Sequence, residues 1–403
     1  MKGIFGVHPV PVAETHRTTM FEIFFDLVFV FALTRVITFM AHSPTALTLA
    51  QGLLLLLLLI YSWGPYTWLG NLVRPDIGAA RAASLVAMAA VFVAALVLPD
   101  AWRQGPELVD APLALALAYV IARAVQLGVL FWVSETDPPL RAVLVFFAVP
   151  VVVAWLPLIV GALLGGVAQT VLWSVAILVD LGGARIASVF RPWPVRSLDH
   201  FTERFGLVLI IALGESLISA GAGPRSMAPT GAALVGALLG LVTTTCLWWL
   251  YFDWLAPAAR QAIMRLPKRR RLDVAGDAYG LAHAPLIIGA MYIALGIEQV
   301  LDQLTEVPPR SAQAGWIAAT ALYGGAALYL LARLVFRRFA LRSVHPGQVV
   351  AALLPLGLLP IGRALPPLAA LALLAVFLIL VTYYERQVER REPQLGPAAP
   401  ARP

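Results

Sequence analysis

The stretch FEIFFDLVFVFALTRVITFM, residues 21–40, is apolar over most of its length. A helix of about 20 residues spans the roughly 30 Å hydrocarbon core of a bilayer, so this stretch favours a transmembrane helix. It nevertheless carries three charged side chains, Glu22, Asp26 and Arg35. A cleaved leader has a short uncharged apolar region followed by a small-residue cleavage site, so we interpret the stretch as a retained first span.

The rest of the chain has the same character. Of its 403 residues, 60% are hydrophobic and 13% are charged, and the mean hydropathy is +0.84. These values exclude an ordinary soluble domain and predict an integral membrane protein. Because the apolar runs are long and do not alternate, an all-α protein is favoured over a β-barrel. The single cysteine, Cys246, excludes a disulfide framework or a cysteine-based metal site within one chain.

Apolar runs separated by charges or by Pro and Gly predict about twelve transmembrane helices. Their approximate bounds are 21–40, 46–70, 79–99, 112–133, 141–159, 165–187, 203–221, 231–255, 277–299, 314–336, 347–362 and 366–384. Only glycines divide the fifth run from the sixth, and Pro355 and Pro360 interrupt the eleventh. Ten or eleven spans therefore remain open alternatives.

Most of the 29 Lys and Arg residues fall in loops on one side of the predicted membrane. Because cytoplasmic loops carry the excess of these residues, we predict a multi-pass plasma membrane protein with both termini in the cytoplasm. The net charge of +7 is assigned to this orientation signal, and no nucleic-acid partner is expected. The basic loop at residues 265–271 is an orientation signal or a site for anionic lipid headgroups. Membrane lipids are the expected partners, and an oligomer is an open alternative.

Two similar segments predict an internal repeat. With Glu22 set against Glu203, EIFFDLVFVFALTRVI aligns with ERFGLVLIIALGESLI. Six spans in each half would give the two halves the same orientation, as in repeats related by an axis along the membrane normal. The predicted organisation is a cytoplasmic segment at 1–20, a first six-helix repeat at 21–190, a cytoplasmic linker at 191–202, a second six-helix repeat at 203–384 and a partly disordered cytoplasmic tail at 385–403.

Ionisable side chains inside apolar spans are the main functional signal, because each costs about 2.5–3.5 kcal/mol at mid-membrane. Glu22 and Asp26 stand four residues apart and therefore share one face of the first helix. Arg35 lies nine residues beyond Asp26 and points away from that face. Glu215 and Arg123 are expected near mid-membrane, where Arg123 or Arg35 is the candidate counter-ion of Glu215.

A second group of candidates is expected on the cytoplasmic side. It comprises Glu22, Asp26, Glu203, Arg204, Asp253 and His283, and His200 lies near the inner end of its span. These side chains either form ion pairs that fix helix register or bind an ion or solute. Asp26 and Glu215 lie deepest in their helices, where a carboxylate can exchange a proton or coordinate a cation.

No sequence motif for hydrolysis, nucleotide binding or zinc proteolysis occurs in the chain. No catalytic residue, cofactor or metal site is therefore predicted. A zinc site formed by His16, His200 and His283 is geometrically feasible, since all three are expected on the cytoplasmic side, but ordinary boundary histidines are the preferred interpretation.

The segments FEIFFDLVFVFALTRV, residues 21–36, and HFTERFGLVLIIALGESLISAG, residues 200–221, resemble the most distinctive sequences of the bacterial low temperature requirement A family. The resemblance extends over nearly the whole chain. It implies a polytopic bacterial membrane protein associated with growth in the cold, and no particular biochemical activity.

The stretch FFDLVF around Asp26 is also similar to the F-S-D-x-V-F motif in the first helix of endolysosomal-type potassium channels. Those channels are likewise built from two six-helix repeats. The chain departs from that pattern because Phe25 occupies the Ser position, Arg17 lies nine residues before the Asp where six are expected, and Gly206-Leu207 stands where the second repeat would carry an Asp.

The leading hypothesis is a transporter or channel-like protein that moves a small solute or ion. Asp26 and Glu215 would bind the proton or cation, while Arg35, Arg123 and Arg204 would hold or gate these carboxylates. Intramembrane charge without enzyme motifs is the basis of this hypothesis.

Two alternatives stay open. An integral-membrane enzyme or lipid-binding factor would act on an isoprenoid or phospholipid at the cytoplasmic face, with its phosphate bound by His200, Glu203, Arg204 and His283. A structural membrane protein or sensor would show neither flux nor bound ligand.

Overall fold

The computed structural model describes residues 10–13, 16–103, 109–190, 195–221, 231–305 and 313–390. These residues are almost wholly helical, and the β-bridge among them is an isolated one between Pro11 and Val73. The predicted all-α membrane fold is confirmed. The chain divides into two compact units, residues 1–207 and 208–403.

The first unit contains α1 Met20–His42, α2 Ala46–Leu72, α3 Gly78–Val97, α4 Ala111–Val133, α5 Pro138–Leu164, α6 Gly166–Phe190 and the beginning of α7, Leu198–Gly221. Helix α5 packs along α6 and α3 along α4, while α1 contacts α2 and α3. Gly165 has a φ of 67° and separates α5 from α6, as the sequence predicted. Side-chain caps on a backbone N–H start helices α1, α2, α4, α5 and α7, and they are provided by Thr19, Thr45, Asp110, Asp137 and Ser197.

The second unit contains α8 Gly231–Phe252, α9 Leu255–Met264, α10 Lys268–Thr305, α11 Gly315–Leu341, α12 Pro346–Ala364 and α13 Pro367–Arg390. Helices α10 and α11 pack along each other, and α8 packs against α13. At Gly289 and Gly325 the α10 and α11 backbones approach closely, because neither residue has a side chain. A π-helical turn at Thr320–Gly324 lies inside α11 next to this approach.

Eleven candidate spans in the described part of the chain are long and apolar enough to cross a membrane. Helix α7 is a further helix, 24 residues long, that carries four charged residues. Polar and apolar side chains are distributed as in a membrane protein. Many apolar side chains face outwards, while charged ones such as Arg123 and Arg333 are buried. The exposed apolar side chains of α5 include Val145, Phe146, Val149, Val152, Val153 and Leu156.

Two helical details differ from the predicted spans, whereas the predicted eleventh span, 347–362, forms a single helix. Helix α10 begins at Lys268 and not near residue 277, because the basic stretch before the apolar run is itself helical. Pro355 and Pro360 do not divide α12, which agrees with the tolerance of membrane helices for proline. The short helix α9 was not anticipated. Residues 191–194 of the predicted linker and residues 391–403 of the tail predicted to be partly disordered lie outside the described residues.

The close approach of α10 and α11 leads to a stability prediction. A methyl group on Gly289 would lie 2.8 Å from the backbone oxygen of Gly325, so Gly289→Ala forces the helices apart and should lower the free energy of unfolding by about 1–3 kcal/mol. A methyl group on Gly280, also in α10, has no neighbour within 4 Å. Thermal unfolding of the purified variants should show a loss for Gly289→Ala and none for Gly280→Ala; equal melting temperatures would contradict the packing.

Candidate functional site

Glu22 lies in the first turn of α1 and is only 1% exposed. Its Oε2 accepts hydrogen bonds from the backbone N–H of Thr19 at 2.9 Å and from the Thr19 hydroxyl at 3.0 Å. Its Oε1 accepts from Arg204 Nη1 at 2.9 Å and from His200 Nε2 at 2.7 Å. A carboxylate offers about four acceptor positions, so the Glu22 carboxylate is fully hydrogen-bonded.

Asp26 lies one turn further along α1 and is fully buried. Its Oδ1 accepts from Arg204 Nη2 at 2.5 Å and from Trp63 Nε1 at 2.7 Å. Its Oδ2 is buried and has no hydrogen-bond partner within the described ranges. The Arg204 guanidinium therefore bridges two carboxylates, one fully hydrogen-bonded and one not. We call Glu22, Asp26, Trp63, His200 and Arg204 the carboxylate network.

Asn71, in the last turn of α2, contacts the ring of His200 and assigns the tautomer of its neutral form. Its Oδ1 accepts from the backbone N–H groups of Arg196 at 2.6 Å and Ser197 at 3.3 Å, and its Nδ2 donates to the Ser197 carbonyl at 2.6 Å. The same Nδ2 lies 3.3 Å from His200 Nδ1. Because Nδ2 can only donate, Nδ1 is the acceptor, and a neutral ring carries its proton on Nε2, which donates to Glu22.

The segment that precedes α1 lies against the ends of α2 and α7. The backbone N–H of Val12 donates to the Leu72 carbonyl at 3.3 Å. The Ser197 hydroxyl donates to the His16 carbonyl at 2.7 Å. The His16 ring stacks on the His200 ring, with 5.3 Å between centroids. The N-terminal segment thus covers the end of the carboxylate network.

His16 is half-buried, and its Nε2 has neither solvent contact nor a hydrogen-bond partner within the described ranges. Burial and, after it, the neighbouring His200 lower the pKa of His16 below its usual value. The ring is therefore neutral at neutral pH. Gly70 of α2 lies over the contact between Glu22 and His200, where any side chain would collide with Glu22 Oε1. A small residue at this position keeps the contact intact.

His16, Glu22 and His200 also qualify as potential metal ligands. One ligand atom from each lies within 4.8 Å of the other two. The sequence had suggested His283 as the third member of such a group. His283 lies in the second unit, and the structure brings Glu22 to the two histidines.

A second buried ion cluster occupies the first unit. Arg123 Nη2 lies 3.3 Å from Asp180 Oδ1, and Arg123 Nη1 donates to Gln126 Oε1 at 3.2 Å. The Tyr119 hydroxyl donates to Asp180 Oδ2 at 3.0 Å. Arg123, which the sequence suggested as a counter-ion of Glu215, thus pairs with Asp180. Asp180 lies within the predicted sixth span, 165–187, but the sequence offers no signal that it meets Arg123.

Two further candidates of the first unit lie outside the carboxylate network. Arg35 is half-buried, and its Nε has no hydrogen-bond partner within the described ranges. Glu203 accepts from the backbone N–H of Thr18 at 3.1 Å and lies 3.7 Å from Arg17 Nε. Glu203 therefore fastens the N-terminal segment to α7 and does not join the two buried carboxylates.

The candidates of the second unit have environments of their own. Glu215 is buried. Asp253 is partly exposed and lies 3.9 Å from Arg386. His283 is fully buried, and its Nε2 is 2.6 Å from the Tyr251 hydroxyl. His283 is therefore part of a tightly packed aromatic interior.

The second unit also contains a buried ion pair that sequence reasoning missed. Arg333 Nη1 lies 2.8 Å from Glu385 Oε1, and Nη2 donates to Oε2 at 3.0 Å. Gln348 Nε2 donates to the same oxygen at 2.8 Å. The sequence placed Arg333 near the end of the predicted span 314–336 and Glu385 in the tail, and did not pair them. The apolar residues around Arg333 in ALYLLARLVF are the signal that could have marked it as buried.

A family model described as bacterial low temperature requirement A protein (LtrA) matches residues 17–383. The chain belongs to this family. A curated relative from Rhizobium meliloti (strain 1021), named uncharacterized protein RA0937, is 26% identical over 385 residues, which cover 90% of this chain and 88% of the relative. No solved structure gives a significant match. The resemblance read from residues 21–36 and 200–221 is confirmed.

In this LtrA-family protein the two segments that carried the resemblance supply every charged side chain and the histidine of the carboxylate network, and α2 supplies Trp63. The first segment supplies Glu22 and Asp26, and the second supplies His200 and Arg204. The segments are far apart in sequence but contact each other through three hydrogen bonds of 2.5–2.9 Å. From α2, Trp63 contacts Asp26 of the first segment, and Asn71 contacts His200 of the second.

The bridge made by Arg204 leads to a second stability prediction. Arg204→Met would leave Glu22 and Asp26 buried without a counter-charge, and removing one partner of a buried pair typically costs about 3–5 kcal/mol. Unfolding in mixed micelles should show this loss. The triple variant Arg204→Met/Glu22→Gln/Asp26→Asn should regain most of the stability because no uncompensated charge remains. A triple variant less stable than the single one would contradict the ionic description.

Proposed function

We propose that this LtrA-family protein is a transporter or channel-like protein of the bacterial plasma membrane, which moves a small solute or ion by exchanging a proton or cation at buried carboxylates. The first helix supplies the exchanging group, Asp26, and the seventh supplies Arg204, which holds it. We place both termini in the cytoplasm, because the basic loops fall on the side of the membrane where the chain begins and ends.

The unpartnered Oδ2 of Asp26 is the observation that carries this proposal. A buried polar atom without a hydrogen bond is costly, and such atoms are retained where a ligand or proton is to be received. Glu22, next to it, has four donors and needs no further partner. Of the two carboxylates that Arg204 bridges, Asp26 is therefore the one able to accept a proton or cation.

The charge of the carboxylate network supports the same conclusion. Glu22 and Asp26 are two carboxylates bound by one guanidinium, Arg204. A single proton or monovalent cation at Asp26 would neutralise the remaining negative charge. An uncompensated charge buried among membrane helices costs several kcal/mol of free energy, about 2.5–3.5 kcal/mol on insertion scales.

Neutralising Asp26 would also weaken its hold on Arg204, because the attraction between a guanidinium and a protonated acid is smaller than that of an ion pair. Arg204 would then be held by Glu22 alone, and the start of α7 would be free to shift against α1. Exchange at one oxygen is thereby coupled to the position of a helix, which is what a transporter or gate requires. Glu215, deeper in α7, is the second proposed exchange residue.

The alternative of a lipid-phosphate site receives less support from the geometry. Both terminal nitrogens of Arg204 are engaged by Glu22 and Asp26, and His200 Nε2 faces Glu22. His283 is packed against Tyr251. A phosphate would have to displace these partners before it could bind.

Flux through reconstituted protein tests the proposal. Proteoliposomes with an entrapped pH indicator should acidify or alkalinise when a proton, Na⁺ or K⁺ gradient is imposed, whereas Asp26→Asn should fall to the level of protein-free liposomes. Glu215→Gln should lower the flux as well. Asp76→Asn is the matched control, because Asp76 is bound by Arg74 at 2.6 Å between α2 and α3, outside the network.

Cold growth of a deletion strain complemented with the same variants gives a second readout. The proposal is wrong if the unaltered protein moves none of the three ions and Asp26→Asn and Glu215→Gln both sustain growth in the cold.

A further inference from the structure

His16, Glu22 and His200 come from three separate parts of the first unit: the N-terminal segment, α1 and α7. Their ligand atoms lie within 4.8 Å of one another, and His200 Nε2 and Glu22 Oε1 are already 2.7 Å apart. Tetrahedral zinc with ligand distances of 2.0–2.2 Å needs donor atoms about 3.4 Å apart. The three side chains are therefore near the required separation without movement of a helix.

The state of His16 points to a ligand and not merely to packing. Its Nε2 is shut off from solvent and has no hydrogen-bond partner within the described ranges. In the neutral ring with its proton on Nδ1, Nε2 presents a lone pair beside a carboxylate and a second imidazole. An imidazole nitrogen in that state is what a zinc-type ion binds.

Each potential ligand is also held by its own support. The Ser197 hydroxyl binds the His16 carbonyl at 2.7 Å, and Asn71 lies 3.3 Å from His200 Nδ1. Thr19 binds the far oxygen of Glu22 at 2.9 Å. Such outer contacts orient metal ligands in known sites and contribute strongly to affinity.

We propose that His16, Glu22 and His200 form a binding site for Zn²⁺ or a similar first-row divalent cation. Two imidazoles and one carboxylate are a common zinc donor set that leaves the fourth position for water. The bound ion would fasten the N-terminal segment to α1 and α7. The site shares Glu22 and His200 with the carboxylate network, but zinc binding does not depend on whether the protein transports.

Zinc binding requires one proton of the His200 ring to move and leaves Glu22 free to act as a ligand. In the metal-free protein the Nε2 proton of His200 lies between that nitrogen and Glu22 Oε1. The ion takes this place, and the ring stays neutral because its proton moves to Nδ1. The 3.3 Å contact between Nδ1 and Asn71 Nδ2 then opens, while the Asn71 amide keeps its hydrogen bonds to Arg196 and Ser197. Arg204 remains compensated by Asp26 at 2.5 Å, so that Glu22 is able to bind the ion.

Zinc binding to the intact chain tests the proposal. The full-length protein, freed of any affinity tag and stripped with a chelator, is titrated with ZnCl₂ by calorimetry, and zinc per chain is measured by elemental analysis. We expect one Zn²⁺ per chain for the unaltered protein. His16→Ala should weaken zinc binding by more than about 10-fold. Substitution of residues that only contact a metal ligand already costs about 10–100-fold in affinity. His42→Ala is the matched control, because His42 is an exposed histidine at the other end of α1.

Two outcomes would overturn the site. One is the absence of stoichiometric zinc in the unaltered protein, and the other is equal affinity in His16→Ala and His42→Ala. X-ray absorption at the zinc edge adds a measurement that needs no variant. Two imidazole nitrogens and carboxylate oxygen in the zinc shell would support the site, whereas a shell of oxygen atoms alone would contradict it.

Discussion

An arginine inside an apolar helical unit must be neutralised, and in the first unit Arg204 meets this constraint by holding Glu22 and Asp26 together. The contact fixes how far α7 lies along α1, because only one register brings both carboxylates, one turn apart, to the two ends of a guanidinium. Trp63 of α2 donates to Asp26, and Gly70 of the same helix leaves room for Glu22. One ionic interaction therefore sets the arrangement of three helices.

Arg204 binds both Glu22 and Asp26, yet the two carboxylates have different surroundings and different proposed roles. Glu22 completes the capping box of α1 with the N-cap Thr19 and accepts four hydrogen bonds, so it is a fixed anion. Asp26, one turn deeper, keeps an unused oxygen. A buried ion pair gives little net stability after desolvation is counted. The incomplete hydrogen bonding of Asp26 is thus better explained by exchange with a ligand than by a purely structural role.

Much of this site could be predicted from sequence, because it depends on helical spacing. The four-residue separations of Glu22 from Asp26 and of His200 from Arg204 place each pair on one helix face. Spacing cannot reveal which faces of different helices meet. Arg123 therefore appeared available to Glu215, although it pairs with Asp180, which lies 57 residues further along the chain.

Trp63 and Asn71, the two α2 side chains that contact the network, were not predicted, because their partners lie on other helices. Trp63 belongs to an aromatic cluster that is typical of a membrane interface, and its indole N–H is seen to matter only when Asp26 lies beside it. Asn71 has no signal in a single sequence. The helices themselves were predictable from apolar length, whereas α9 and the extension of α10 to Lys268 were not, because neither segment is apolar enough to mark a span.

The central claim is that Asp26, and not Glu22, is the carboxylate that takes up a proton. Infrared difference spectroscopy of the reconstituted protein during a pH titration measures this directly, since a protonated carboxyl group has a carbonyl band that a carboxylate lacks. The account predicts one such band that appears reversibly on acidification, is absent in Asp26→Asn and is retained in Asp180→Asn. A band that persists in Asp26→Asn and is lost in Glu22→Gln would contradict it.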